Sequence, residues 1–309
     1  MNKPSLSPLV IHHTGFLPYL PFCVQQAVQA NPGREVILLG DEANRMGGIV
    51  YRHERVSDYG RKTPAFLQAY RHITRSDFHD ERRCLERWFF LSDFLETAKI
   101  SSFYFLDSDY LLFADLSRHE SRWLDGEAAG TPLFWGFAYF RSPALIHGFC
   151  DWLLELYRDD RRLTEMRNRY EQGGSQLQEM GFIREYCREA PVVMRSLSWC
   201  DTQDSETWDE GSFGSSYHAR PEDFAMIRQP EVGGPVWFWR EQKKRRLLGV
   251  HFVGHAKNQI PGFTGWTVPV ARAFLRPNYR RNVKFLCQYL WHGRRCRAKL
   301  ALPDPARPN

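Results

Sequence analysis

Two acidic residues separated by one position lie inside an apolar stretch, where they could bind a metal ion. Residues 102–113 contain FLDSDYLLF, in which Asp107 and Asp109 interrupt an aromatic and aliphatic run typical of a buried strand. Residues two apart on an extended chain point to the same side, so both carboxylates should converge where the strand leaves its sheet. Because buried carboxylates this close repel each other, a divalent cation would stabilise them. We expect a metal site here, although D-x-D also occurs in solvated turns.

A second group of candidate residues occurs in HFVGHAK, residues 251–257. The imidazole of His251 can complete the coordination of a manganese-type ion held by carboxylates. Gly254 lets a backbone N–H approach a phosphate, and Lys257 supplies a point charge for it. Taken alone, His251 is more typical of a core histidine and Lys257 of a solvated surface charge. Their combination with the upstream D-x-D favours a site for a metal ion and a phosphate.

The beginning of the chain predicts an α/β fold. Residues 9–13 and 36–39 are typical of strands and residues 18–30 of a helix, a β-α-β order that indicates a parallel sheet. In open α/β sheets, ligands bind outside the carboxyl ends of the strands, where Asp107 and Asp109 are expected. Neither GxGxxG nor GxxxxGK[ST] occurs, so neither a dinucleotide-binding motif nor a P-loop is indicated.

Hydrophobic periodicity predicts the remaining elements. Helices are expected over 60–98, 143–158 and 175–188, strands over 133–140 and 247–252, and loop over most of 199–235. Pro143 should occupy the first helical position, where its missing N–H has no intrahelical partner to lose. We find no internal repeat and no low-complexity region.

Composition narrows the class of protein. The 309 residues are 43% hydrophobic and 15% aromatic, enough for a substantial core. No run approaches the roughly 20 apolar residues of a membrane span, and the polar first residues do not resemble a secretory signal. The seven cysteines are scattered without a CxxC pair, which favours reduced thiols in a cytoplasmic protein over disulfides or a zinc site.

Positive charge is concentrated in one late segment. Residues 271–300 contain nine Lys and Arg and no acid, and Asp304 and Arg307 cancel in the rest of the tail. Because the whole chain carries +6, the first 270 residues carry −3. We therefore expect a body, 1–270, and a basic, aromatic tail, 271–309. The tail suits an anionic membrane surface. Packing on the body is the second interpretation, and nucleic-acid binding is the least favoured.

These motifs together make residues 9–260 resemble the GT-A glycosyltransferases, which have a Rossmann-like, mostly parallel central sheet flanked by helices. The resemblance rests on the β-α-β start, the Arg-containing helix before FLDSDYLLF, and HFVGHAK. It is strongest for family-8-type retaining enzymes, whose late motif is H-x-x-G-x-x-K-P-W. Asn258 and Gln259 replace Pro-Trp here, and Phe134 and Trp135 precede the middle-strand glycine, where those enzymes carry Asn or Asp.

The resemblance implies a role for each matching residue. Asp107, Asp109 and His251 would hold Mn²⁺ or Mg²⁺ on the diphosphate of the donor, with Asp107 also near the ribose. Gly254 and Lys257 would contact the phosphates. The metal and the lysine would neutralise charge on the departing nucleoside diphosphate.

Further candidates follow from position in the same fold. Arg87 resembles an arginine that braces the carboxylates or phosphates, with an exposed helix charge as the alternative. Gln176 and Glu179 stand where these folds place sugar- or acceptor-facing groups. In a retaining enzyme the leaving phosphate can accept the acceptor's proton, whereas an inverting enzyme needs a carboxylate base, for which Glu179 is the candidate. Nucleoside contacts are expected from Thr14, Gly15 and Asp41.

The implied function is transfer of a hexose-type sugar from a nucleotide donor, with a UDP-sugar expected, to a glycan or lipid-linked acceptor. Polysaccharide or lipopolysaccharide synthesis at the inner face of the plasma membrane fits a tail that binds membranes. Two alternatives remain: a non-catalytic nucleotide-sugar- or glycan-binding protein, and a metal-dependent phosphoesterase. A dehalogenase-type phosphatase fits less well, because its D-x-D lies on the first strand with Thr or Val next, whereas Tyr110 follows here.

Overall fold

The computed structural model shows a mixed α/β protein built on two β-sheets. It describes residues 6–74, 76–124, 126–131, 134–175, 177–190, 192, 194–197, 206–208, 227–228, 236–240, 243–252 and 254–264. The predictions for Gln176, for the tail 271–309 and for most of the loop 199–235 lie outside the described residues.

The central sheet confirms the predicted mostly parallel α/β architecture. The described strands are β1 (Leu9–His12), β2 (Val36–Gly40), β3 (Arg52–Arg55), β4 (Phe103–Asp107), β5 (Tyr110–Leu112), β6 (Ala128–Thr131), β7 (Phe134–Phe140), β8 (Met194–Ser196), β9 (Glu206–Trp208), β10 (Ile227–Arg228), β11 (Val236–Arg240) and β12 (Lys243–His251). Seven of them form the sheet β3-β2-β1-β4-β7-β6-β8. Strands β3, β2, β1 and β4 are parallel neighbours, whereas β7 runs antiparallel to β4 and β6. The ends of β1, β2 and β4 therefore meet at one edge.

Helices cover both faces of this sheet. They are α1 (Leu20–Ala30), α2 (Thr63–Ala69), α3 (Phe78–Thr97), α4 (Ala144–Arg158), α5 (Asp160–Gln172), α6 (Glu179–Glu189) and α7 (Ile260–Thr264), with a 3₁₀ helix over Gly254–Gln259. None of the described helices has the length and apolar composition required to cross a membrane.

Two hydrophobic cores lie on opposite faces of the central sheet. Side chains alternate along a strand, so Leu9 and Ile11 of β1 enter one core while Val10 enters the other. The first core joins α1 to the second sheet, and the second core joins the central sheet to α2 through α6. Burial on both faces explains why the strands are nearly continuous apolar runs.

The second sheet begins where the chain leaves the first. After β4 ends at Asp107, a two-residue turn leads to β5, which pairs antiparallel with β12 in the order β10-β11-β12-β5. Strand β9 pairs in parallel with β12. The predicted single strand through the D-x-D is thus two strands in different sheets, and both carboxylates lie at the junction between the sheets.

Several helix predictions need correction. The helical region expected over 60–98 is two helices, α2 and α3, separated by residues 70–77. Pro143 is the N-cap of α4 rather than its first residue. Helix α6 begins at Glu179, four residues later than expected, after a turn in which Gly174 has a φ of +72°. Helix α5 was not predicted, because only three of its residues are buried.

The end of α3 leads to a prediction about stability. Lys99 follows the helix with a φ of +53°, while the Ile100 N–H donates to the Leu95 carbonyl in a Schellman-type closure. A β-carbon is disfavoured in this left-handed conformation. Lys99→Gly should therefore raise the free energy of unfolding by roughly 0.5 to 1 kcal/mol in urea denaturation. Lys99→Ala keeps the β-carbon and is the control; an equal gain in both variants would contradict the explanation.

Candidate functional site

Three buried side chains converge at the junction between the two sheets. The His251 Nε2 lies 3.0 Å from Asp109 Oδ1 and 3.7 Å from Asp107 Oδ2. One ligand atom from each residue lies within 4.8 Å of the other two, and all three residues are buried. Carboxylate oxygens with one imidazole nitrogen form a ligand set suited to Mn²⁺, and to Mg²⁺ through the carboxylates. These residues therefore fit a divalent cation.

Strand pairing brings His251 to the acidic residues although it lies far from them in the chain. Tyr110 of β5 faces His251 of β12, and the Phe252 N–H donates to the Asp109 carbonyl at 3.0 Å. Gly249 makes this approach possible, since a β-carbon there would lie 2.3 Å from the Tyr110 ring. The third ligand is therefore positioned by backbone register as well as by its side chain.

Lys257 adds a positive charge to the acidic cluster. Gly254 opens the 3₁₀ helix with a φ of +57°, and Lys257 Nζ reaches Asp109 Oδ2 at 2.7 Å. Burial alone would raise the pKa of Asp109, but the neighbouring His251 and Lys257 outweigh burial and hold that pKa well below its usual range. Asp109 is therefore a carboxylate at neutral pH, as a metal ligand must be.

Arg87 connects Asp107 to a third carboxylate. Its Nη1 donates to Asp107 Oδ1 at 2.7 Å and its Nε to Glu179 Oε1 at 2.8 Å, while Trp88 Nε1 donates to the same glutamate oxygen at 2.6 Å. Burial raises the pKa of Glu179, and the charge of Arg87 opposes that effect. The structure thus places Arg87, from α3, against Asp107, and Arg87 links Asp107 to Glu179, from α6. The catalytic roles of Arg87 and Glu179 stay predictions.

The residues predicted to contact a nucleoside also lie together. Gly15 has a φ of +76°, and its N–H donates to Asp41 Oδ2 at 2.6 Å. Asp41 Oδ1 caps the turn after β2 by accepting from the Ala43 N–H at 3.0 Å. Thr14 is exposed between the ends of the two strands. A nucleoside contact by Thr14, Gly15 or Asp41 stays a prediction.

Sequence reasoning missed several polar residues that support this site. Trp88 lies in the helical region predicted over 60–98 and His13 in the strand predicted over 9–13, and neither is among the candidate site residues of the sequence. In the structure His13 Nδ1 lies 2.9 Å from the Ser108 hydroxyl, and burial lowers the pKa values of His12 and His13 to about 3 and about 4. The sequence signal that could have identified His13 is the pair of adjacent histidines, His12 and His13, at the carboxyl end of a buried strand.

Comparisons with known proteins concern the fold. No protein family model matches the chain, and no curated protein does. The chain is similar to the apo form of mouse xyloside xylosyltransferase 1, with a TM-score of 0.46 and 10% identity over 66% of this chain and 87% of that one. Galactosyltransferase LgtC, in complex with donor and acceptor sugar analogues, gives a TM-score of 0.44 and 14% identity, over 89% of this chain and 99% of that one. The glycosyltransferase GlyE of Streptococcus pneumoniae TIGR4 gives a TM-score of 0.40 and 12% identity, over 98% of this chain and 66% of that one.

The acidic cluster predicts metal binding. Asp109→Asn keeps the shape of the side chain but removes the charge that faces His251 and Lys257. We expect it to weaken Mn²⁺ binding at least about tenfold in isothermal titration calorimetry. Asp115→Asn is the control, because the Asp115 carboxylate has local partners outside the cluster, Ser117 and Arg118. Equal Mn²⁺ affinity in wild type and Asp109→Asn would contradict a metal site at this cluster.

Proposed function

We propose that the chain is a metal-dependent glycosyltransferase of the GT-A type whose donor is a nucleotide sugar. The observation that carries this proposal is the buried cluster of Asp107, Asp109 and His251, with Lys257 beside it, at the carboxyl end of a parallel strand. This is the position at which open α/β sheets bind ligands. The proposed catalytic domain is residues 1–270, followed by the tail 271–309.

The charges of the site support a bound divalent cation and, through that cation, a donor that carries a diphosphate. The carboxylates of Asp107, Asp109 and Glu179 face the cations Arg87 and Lys257, so these five side chains carry a net negative charge. Asp107, Asp109 and His251 would hold Mn²⁺ or Mg²⁺. The bound ion supplies Lewis-acid stabilisation of the diphosphate leaving group.

Three residues of the chain would have separate roles beside the metal ion. Lys257 would move from Asp109 towards the phosphate oxygens and stabilise the negative charge that develops there. Arg87 would hold Asp107 and Glu179 in a fixed arrangement through its two hydrogen bonds. Gly254 would let its backbone approach the same phosphates, because it has no side chain.

The stereochemical outcome that we propose is retention, with UDP as the nucleotide. Arg87 and Trp88 both donate to Glu179 Oε1, which leaves Oε2 as the oxygen available to a sugar hydroxyl or an acceptor. In a retaining enzyme the departing phosphate would accept the acceptor's proton, and Glu179 would bind the sugar or the acceptor through Oε2. Glu179 would instead be the general base if the enzyme inverts.

A donor-hydrolysis assay tests the proposed activity. Purified chain with Mn²⁺ should release nucleoside diphosphate slowly from one member of a panel of UDP-, GDP-, ADP- and CDP-sugars. Lys257→Gln should slow this release about 100-fold, because a cation is lost at the leaving group. Lys62→Gln is the control, since Lys62 forms a surface ion pair with Asp151. Liquid chromatography of the nucleotide products measures both rates.

The same assay separates the alternatives. Release of nucleoside monophosphate and sugar phosphate would indicate the phosphoesterase. Metal-dependent binding without release, also after addition of glycan and lipid-linked acceptors, would indicate the non-catalytic binding protein. If the chain neither releases nucleoside diphosphate from any donor nor binds any donor, the proposal is overturned.

We also propose that the tail holds the enzyme at an anionic membrane surface, beside a lipid-linked acceptor. The support is its composition, nine cations and no acid over 271–300 together with aromatic residues. Anionic lipids attract such segments by about 1 kcal/mol for each cation near the surface.

Vesicle sedimentation tests the tail. The chain should sediment with phosphatidylglycerol vesicles and remain in the supernatant with phosphatidylcholine vesicles. Replacing Arg294, Arg295 and Arg297 with Glu should abolish the difference, since the attraction is electrostatic. Equal sedimentation of wild type and variant would contradict the proposed membrane contact while leaving the proposed activity intact.

A further inference from the structure

A line of hydrogen bonds crosses the carboxyl ends of β1, β2 and β4 and reaches a side chain of β3. The His13 ring, after β1, meets the Ser108 hydroxyl, after β4. The His13 carbonyl accepts a hydrogen bond from the Asn44 side-chain amide. Asn44 Oδ1 accepts from the Asp41 N–H at 3.0 Å, after β2, and lies 3.0 Å from His53 Nε2, in β3. We call these five residues the strand-end network.

The network determines the orientation of its central residue. The Asn44 group that faces the His13 carbonyl must be the NH₂, because a carbonyl only accepts. The oxygen then faces the Asp41 N–H, and the nitrogen of His53 at the same oxygen must carry its proton. Each partner thus requires the same orientation of the amide, so an aspartate at this position could not satisfy the His13 carbonyl.

Burial makes Asn44 a residue that positions others. It is fully buried, and a β-carbon on Gly40 would lie 2.1 Å from its Oδ1. A bound ligand therefore cannot touch Asn44. Its partner Asp41 holds the Gly15 N–H through Oδ2, so Asn44 acts on the backbone of residues 13–15 through the His13 carbonyl and through Asp41.

We infer that Asn44 is the positioning residue for the nucleoside half of the donor. It holds the turn after β1 against the end of β2, where Thr14 is exposed and Gly15 is partly exposed. This inference rests on the proposed function. Beyond that function, it states that recognition of the base and the ribose depends on the buried side-chain amide of Asn44, which contacts neither the base nor the ribose.

The diphosphate half should be separable from this network. Asp109, His251 and Lys257 come from the turn after β4, from β12 and from the 3₁₀ helix, and the hydrogen bond of His13 to Ser108 joins the network to that turn. Loss of the Asn44 donor should therefore weaken recognition of the nucleoside and leave recognition of the metal and phosphates unchanged.

Calorimetry with two probes tests this separation. Both are titrated in Mn²⁺: the nucleoside diphosphate of UDP, GDP, ADP and CDP that wild type binds most tightly, and inorganic pyrophosphate. Asn44→Asp should bind the nucleoside diphosphate at least about tenfold more weakly and pyrophosphate within about twofold of wild type. His53→Gln, which can still donate to Asn44, should retain affinity that His53→Leu loses.

Asn31→Asp is the matched control. Asn31 is also a buried asparagine that bridges backbone groups, donating to the Ala114 carbonyl at 3.2 Å and accepting from the Leu116 N–H at 2.9 Å. It follows α1, away from the strand ends that carry the site. We expect a loss of thermal stability similar to that of Asn44→Asp, with both probe affinities unchanged.

Each result supports or overturns one statement. If wild type binds no nucleoside diphosphate, the proposed function fails and the inference fails with it. If wild type binds and Asn44→Asp binds equally well, the inference alone is overturned. Equal weakening of both probes, or weakening in Asn31→Asp as well, would show that Asn44 acts through general stability and would also overturn it.

Discussion

Two carboxylates two positions apart, both only 8% exposed, set the central electrostatic constraint on this molecule. Buried like charges raise each other's pKa unless positive groups surround them. Here Asp107 is paired with Arg87 from α3, and Asp109 with His251 and Lys257 from the second sheet and the segment after it. Each half of the acidic pair therefore depends on a different part of the fold, and both parts must be in place together.

This arrangement explains why the acidic pair lies between two sheets rather than within one strand. Asp107 is the last residue of β4 and faces the helices of the second core. Asp109 immediately precedes β5 and faces the elements of the first core. A single continuous strand would have given both carboxylates the same neighbours. The turn at Ser108 instead lets Arg87 pair with Asp107 and Lys257 with Asp109, while His251 lies near both carboxylates. The hydroxyl of Ser108 connects the turn to β1 through His13.

Much of the fold could be predicted because local patterns and tertiary structure agree. The apolar runs of β1, β2 and β4 are buried on both faces, so composition alone identified them. Asp107, Asp109, His251 and Lys257 were found because their chemical types and spacing carry information. Helix α5 was missed because Leu163, Met166 and Tyr170 are its only buried residues, too few to establish a helical period beside its charged residues.

The supporting residues of the site could not be predicted for a different reason. The Trp88 indole meets the predicted Glu179 across 91 positions, and Asn44 meets His13 across 31. No local pattern records which distant backbone a buried amide or indole will reach, because strand order decides it. The expected strand through the D-x-D was wrong for the same reason: the change of sheet depends on β12, which lies more than a hundred residues later.

The pairing of β5 with β12 also has a consequence for synthesis on the ribosome. His251 and Asp109 are 142 positions apart, while the four parallel strands and Arg87 all lie within the first 107 residues. Domains generally begin to form from the N-terminus during translation, and contacts distant in sequence form slowly. The half of the site around Asp107 and Arg87 can thus begin to assemble on the nascent chain, whereas Asp109 remains without His251 and Lys257 until β12 and the 3₁₀ helix after it emerge. While the residues between Asp109 and His251 are being synthesised, the growing polypeptide exposes an incomplete second sheet.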